Sequence, residues 1–292
     1  MNSLASSLDQ PFADSSVLPT YLLAKFASKD IVVALGGDGG DEVFGGYDRY
    51  LAAPVLQRMN PVLPALSKAM QLGNLFLGQN QRKVDRIKSQ LHSESTLAHR
   101  YSSILSLNNT EALTLILNPD LLQTSPEVNF LKQFNAGSLG ALNRMTRSDF
   151  SYYLPGDLLF KSDIATMANS LELRSPLLDW EVVEWGLSLP KKFKIKHLER
   201  KHILKDIARS LVPPELINRP KMGFAIPRAE WLRTGLKDLT IETLTDKTAI
   251  ERGWFNEKVI KKTLEQHMQG LNRDQLIWPA LMLELWARNW LD

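Results

Sequence analysis

Seven consecutive residues, Gly36-Gly37-Asp38-Gly39-Gly40-Asp41-Glu42, set four glycines among three carboxylates, and Gly45-Gly46-Tyr47 follow after Val43-Phe44. Glycines let a backbone take up positive φ and approach a ligand closely, so Gly36, Gly37, Gly39 and Gly40 read as a cradle. Carboxylates repel phosphate unless a divalent cation stands between. The combination therefore points to Mg²⁺ bridging to a nucleotide rather than to a plain phosphate loop. No Gly-Lys-Ser/Thr follows, which excludes a Walker loop. A solvent-exposed acidic turn or a Ca²⁺ loop is the competing reading of the same seven residues.

The element that must carry this loop is the run before it, Ile31-Val32-Val33-Ala34-Leu35. A continuous apolar run this short, rich in β-branched residues and ended by glycines, predicts a buried parallel strand, and ligands bind at the carboxyl ends of such strands. It is the only strand the pattern predicts. Elsewhere helical periodicity dominates: an amphipathic helix from Pro19-Thr20, then helices around Ala52–Met59, Arg82–Leu91, Ser95–Leu105, Ala141–Tyr153, Asp157–Asn169, Glu181–Leu187, Lys201–Leu211 and Asp274–Leu291, with loops at Gly73–Gln81 and Asn129–Gly140. The predicted class is α/β, mostly α-helical, with at least one parallel strand. A lone parallel strand leaves backbone groups and an apolar face without partners, which predicts self-association into a homo-oligomer.

Composition narrows the function. The 292 residues carry 35 Lys+Arg against 32 Asp+Glu, a formal net charge of +3, and no cysteine. Disulfides, thiolate metal sites and a cysteine nucleophile are excluded. No apolar run approaches the ~20 residues a membrane span needs, and the first residues lack a basic, then apolar, leader. A cytoplasmic location is the expectation. The stretch 191–205 holds seven Lys or Arg, but Glu199 and Asp206 lie in or beside it and the net charge is small, so a solvated face is favoured over nucleic-acid binding. The late tryptophans Trp278, Trp286 and Trp290 have helical spacing and predict packing.

The order of motifs resembles the synthetase domain of glutamine-dependent asparagine synthetases. It begins with Asp9-Gln10-Pro11-Phe12-Ala13-Asp14-Ser15-Ser16 and continues through Val33–Tyr47. It runs on through Tyr153-Leu154-Pro155-Gly156-Asp157-Leu158-Leu159-Phe160-Lys161-Ser162-Asp163 and Ser170–Asp179, then Arg200-Lys201-His202-Ile203-Leu204 and Arg219-Pro220-Lys221-Met222-Gly223-Phe224. Matching motifs span about residues 9–233, within one synthetase domain over 1–292 whose 234–292 stretch is a helical tail. The resemblance implies an adenine-nucleotide alpha hydrolase-like (pyrophosphate-loop) fold, ATP and Mg²⁺, and amidation of a small carboxylate, aspartate, through β-aspartyl-AMP, with ammonia from glutamine. By the same resemblance Asp38 organises the reaction centre, Asp41 holds Mg²⁺ and Lys221 neutralises the phosphates and leaving pyrophosphate. Lys201 opens a helix and reaches the nucleotide.

Two parts of that family are absent from these residues: a glutaminase domain with an N-terminal cysteine, and a first pyrophosphate loop of the type Ser-Gly-Gly-x-Asp-Ser. The expectation is an internal-to-C-terminal fragment that is inactive alone. Gly36 stands where the family usually has Ser, and Ile164 where it often has Arg. Glu42 is either a site carboxylate or a cap of the following helix. Asp157 and Lys161, four apart, form either a surface pair or, with Lys161 and Asp163 lining the cleft, part of the site. Arg174 and Asp179 are expected to fix the turn at Ser175-Pro176. Alternative functions are a synthetase amidating or cyclising another carboxylate, and a silent interaction module.

Overall fold

A computed structural model of the chain describes residues 1–58, 96–106, 110–121, 127–217, 219, 223, 224 and 226–292. The expected helix at Arg82–Leu91, the loop at Gly73–Gln81 and Lys221 lie outside the described residues. The architecture is predominantly helical, with a parallel two-stranded sheet in which Val33, Ala34 and Leu35 register with Glu172, Leu173 and Arg174. The ladder extends past both ends, Glu172 N–H donating to the Val32 carbonyl at 2.9 Å and Gly36 N–H to the Arg174 carbonyl at 2.7 Å. The predicted strand is therefore present but neither alone nor buried: Val33 and Leu35 are exposed and Ala34 is half-buried, because only one edge and one side of it are covered. Its partner, Glu172–Arg174, escaped the pattern because a leucine between two charged residues gives no apolar run. Ile195–Lys196 and Glu199–Arg200 pair as a second, antiparallel ladder of two residues each.

Helices bury this sheet's Ala34 side while leaving the other side open. The helix Val17–Ala27 packs on Phe160–Met167, and Asn169 Nδ2 donates to the Tyr21 carbonyl at 3.3 Å. Asp14 fixes the entry to Val17–Ala27: its carboxylate accepts the Ser16 backbone N–H at 2.9 Å and hydroxyl at 2.6 Å, an Asx-type turn. Two apolar cores result. One joins Leu4, Leu8, Phe12 and Val17 to Ala165 and to the tail residues Leu264, Ile277, Trp278 and Leu281; the other gathers Tyr50, Leu97, Tyr101, Phe130, Phe134, Leu142 and Met145. The tail is thus part of the first core, and the buried Trp278 ties it down by donating from Nε1 to the Ala13 carbonyl at 3.0 Å.

The two cores are linked by one helical rod. Ala141–Ser148 runs into a π-helical stretch, Asp149–Leu159, and on into Phe160–Met167. Pro155 lies inside it. Proline removes one N–H and crowds the preceding turn of an α-helix, and a wider π-turn relieves that conflict. The sequence pattern breaks the rod at Pro155-Gly156; the structure carries it through. The expected loop Asn129–Gly140 is also shorter than predicted, since Glu127–Phe134 is helical and buries Phe130 and Phe134. Among the described residues no helix is long and apolar enough to cross a membrane.

The second edge of Val33–Leu35 has no strand partner among the described residues. Beside it Val32 and Leu35 are 75% and 74% exposed, near Ile31 and Val33, also exposed. An unpaired edge with large apolar side chains is a template for association. The purified chain is expected to self-associate with rising concentration in sedimentation experiments, and Val32→Lys with Leu35→Lys to shift it toward monomer without lowering the melting temperature. A monomer at about 100 μM with the native sequence would contradict this.

Candidate active site

The glycine-acid loop leaves the carboxyl end of Val33–Leu35 and closes into the short helix Gly40–Phe44. Gly39 takes φ +86°, and a Cβ there would collide with the Leu178 side chain. Glycine at 39 is thus demanded by the backbone and by the turn Pro176–Leu178. Gly40 faces Leu177 on the same side, whereas Gly37 is exposed and opens to empty space. Of the loop's four glycines, Gly37 is the one with open space beside it. Gly36 is half-buried, with Leu173 side-chain atoms 3.3 Å from where its Cβ would stand.

Asp38 and Asp41 point to different partners. The Asp38 carboxylate accepts the Ser162 hydroxyl at 3.1 Å, which ties the loop to the helical rod. Asp41 Oδ1 is 3.1 Å from Lys201 Nζ. Gly46 makes this pair possible: a Cβ there would overlap Asp41 Oδ1 and Lys201 Cε. Lys201 itself adopts φ +52° just before the helix His202–Ala208. Glu42 neither caps a helix nor reaches the cleft. It is buried within Gly40–Phe44 and accepts the Tyr47 hydroxyl, and burial raises its carboxyl above the usual range despite that donor.

Lys161 resolves its alternatives toward the interior. Its side chain is 12% exposed; its Nζ is 2.8 Å from Asp14 Oδ2 and 3.9 Å from Asp157 Oδ1. Asp163, expected beside it, is exposed. Burial works against the Asp14 charge, but Lys161 and the Ser16 donors outweigh it and hold that carboxyl below its usual range. Asp157 goes the other way: burial, then the Asp14 carboxylate, push it up to about 7 against the pull of Lys161 and Arg49. Arg174 pairs with Glu172 at 2.8 Å, not with Asp179, which instead caps the helix Trp180–Ser188 by accepting Glu181 N–H at 3.0 Å.

Behind these groups lies a buried network that the sequence reading missed. Asp149 Oδ2 receives Arg49 Nη2 at 2.7 Å, Tyr50 hydroxyl at 2.5 Å and Tyr101 hydroxyl at 2.7 Å. The Arg49 guanidinium lies 3.6 Å from the Tyr47 ring centre and 4.6 Å from that of Tyr153. One signal was available: Asp149, Tyr153, Asp157 and Lys161 recur every fourth residue along the rod and all face this region.

The asparagine synthase family model matches residues 1–288. The chain belongs to that family. It is 30% identical over 287 residues to asparagine synthetase [glutamine-hydrolyzing] 1 of Bacillus subtilis, covering 95% of this chain and 44% of that protein. It is 32% identical over 285 residues to a putative asparagine synthetase [glutamine-hydrolyzing] of Mycobacterium bovis, covering 96% and 42%. More distant is amidase chyE of Penicillium rubens, 25% identical over 302 residues, covering 90% and 43%. The chain spans less than half the length of these relatives. Ile164, where the resemblance leads to an expectation of arginine, is half-buried and packs against the first apolar core.

Asp41, a single loop carboxylate, is the residue that would hold a Mg²⁺ if one binds. Among the described residues no three His, Asp or Glu side chains are grouped to hold a metal. Mg²⁺ is commonly bound by one or two carboxylates with phosphate oxygens completing the shell, a part Asp41 suits.

The raised Asp157 carboxyl has a consequence for stability. Between about pH 4 and 7 the folded chain holds a proton on Asp157 that the unfolded chain has lost, so this group's contribution falls as pH rises through that window. Asp157→Asn is expected to be more stable than the native chain at pH 8 by on the order of 1–3 kcal/mol. That advantage should shrink toward pH 4 in denaturant titrations. A pH-independent difference would contradict the assignment.

Proposed function

We propose that the chain is the synthetase part of an ATP-dependent amide-forming ligase built on an adenine-nucleotide alpha hydrolase-like sheet, with Val33–Leu35 and Glu172–Arg174 among its parallel strands. The acceptor is the side-chain carboxylate of aspartate. A carboxylate oxygen attacks the α-phosphorus of ATP, the bond to pyrophosphate breaks, and β-aspartyl-AMP forms. Ammonia then attacks the acyl carbon, the nitrogen gives up a proton, and AMP leaves. In a parent of the relatives' length, a glutaminase domain supplies the ammonia from glutamine.

The observation that supports this most is the loop itself: Asp38 and Asp41 stand at the carboxyl end of a parallel strand, beside the open face of Gly37, in a chain of this family. The protein's part is mainly to place charge before the reaction begins. Lys201 stands on Asp41 and is poised to turn to a phosphate oxygen, and Lys221, by family resemblance, neutralises the leaving pyrophosphate. Mg²⁺ on Asp41, when bound, would offset charge between the phosphates. Asp38, held by Ser162, fixes the loop against the rod and so sets where the acceptor meets the nucleotide.

The test is aspartate-dependent ATP–pyrophosphate exchange in the intact parent. Asp41→Asn and Lys221→Ala should each lower exchange about a hundredfold, the typical cost of one preorganised charged group, with unchanged melting. Full exchange in both variants would contradict the reading. Exchange driven by a different carboxylate, as the amidase relative allows, would replace aspartate as acceptor.

A further inference from the structure

The helices Arg49–Arg58 and Ala141–Ser148 are joined at one end by opposite charges, Arg49 on Asp149 at 2.7 Å. Toward their other ends they bring like charges to one pocket. It has a volume of about 380 Å³, and Arg58, Arg144, Thr96, Leu97 and Asn135 line it with no carboxylate among them. Arg58 is exposed and has no ion pair or hydrogen bond among the described residues. Arg144 is half-buried with its guanidinium 5.5 Å from the Phe134 ring centre, and its Nε is shut off from solvent without an acceptor. The carbonyls at the end of the helix Glu127–Phe134 do not need it. Arg147, one turn on, donates to Gln133 and Ala136 at 2.8 Å each. Leu97 opens the helix Leu97–Leu105, where Thr96 Oγ1 accepts the His99 N–H at 3.4 Å. The N–H of Ala98, a residue 1% exposed, has no acceptor among the described residues.

Two guanidinium groups without a counter-ion, beside the first turn of a helix, form a set of donors for an oxyanion. Guanidinium forks suit phosphate in particular, because its oxygens accept paired N–H bonds. The pocket has room for more than the phosphate, and Pro54, Leu97 and Ala141 give it apolar wall. We propose that it binds a small phosphate monoester, with the phosphate on Arg58 and Arg144 and the organic group against Pro54, Leu97 and Ala141. None of these residues belongs to the glycine-acid loop or pairs with one that does, so the proposal stands apart from the amidation reading. A bound phosphate would close the end of the helix pair opposite to the one that Arg49 and Asp149 clasp. Occupancy therefore stabilises the fold.

The experiment is calorimetric titration of the 292-residue chain with three probes: phenyl phosphate, inorganic phosphate, which lacks the apolar group, and benzoate, which replaces phosphate by carboxylate. Phenyl phosphate is expected to bind at least about tenfold more tightly than either and to raise the melting temperature. Arg58→Gln and Arg144→Gln should each weaken it about tenfold, and Arg144→Lys should recover part of the loss. Thermal melts establish that the variants are folded, and Arg58, being exposed, can be replaced without disturbing packing. Lys201→Gln, at the glycine-acid loop, should leave phenyl phosphate binding unchanged. No binding of phenyl phosphate overturns the proposal. So does binding lost in Lys201→Gln but kept in both glutamine variants of the arginines, which would place the anion at the loop. Benzoate or inorganic phosphate binding as tightly as phenyl phosphate would overturn the monoester assignment.

Discussion

The buried carboxylate of Asp149 is the point on which the site's geometry depends. A single oxygen, Oδ2, gathers Arg49, Tyr50 and Tyr101. Those three come from the segment following the glycine loop and from the helix Leu97–Leu105, while Asp149 begins the π-helical stretch. Burial raises the Asp149 carboxyl above its usual range, against the pull of Arg49 and of the Tyr101 and Tyr50 donors. A buried ion is costly unless paired and hydrogen-bonded, and removing one partner leaves the other stranded. The network therefore specifies position more than it adds stability. It fixes the chain at residues 47–50 against the rod, and through Gly46 and Asp41 it fixes the glycine loop.

The rod transmits that constraint. Leu142 and Met145 root it in one apolar core and Ala165 in the other. Between them the π-helical stretch accommodates Pro155 and presents Tyr153 and Asp157 to the same cleft as Lys161. The site is thus assembled from polar groups on elements whose apolar faces point elsewhere, which is how close packing can hold charged groups in fixed geometry.

Local sequence was legible where local physics decides. The strand Val33–Leu35, the loop after it and helices such as Ala141–Ser148 and Asp274–Trp290 follow from runs and periodicity; Asp38 and Asp41 lie in the loop and Lys201 pairs with Asp41, whereas Lys161 pairs with Asp14. Pairings between distant segments were not legible. Glu172–Arg174 becomes a strand because Val33–Leu35 offers it a ladder, and nothing in Glu-Leu-Arg announces that. Asp14, noted in the sequence only as part of the Asp9–Ser16 motif, proves to be the partner of Lys161. Arg49, which the sequence analysis does not single out, proves to be a stacked, half-buried cation. Gly39 is required by Leu178 as well, a packing constraint from a segment 139 residues away that the loop's own sequence does not show.

The central claim is that Asp149 and Arg49 act as one unit. A double-mutant cycle on folding stability, using Arg49→Met, Asp149→Leu and the combined variant, tests it most directly. Each single substitution strands a buried charge and is expected to cost about 3–5 kcal/mol, with the double variant losing no more than either, a coupling of about 3 kcal/mol or greater. Losses that simply add, or a single substitution that leaves stability unchanged, would contradict the account.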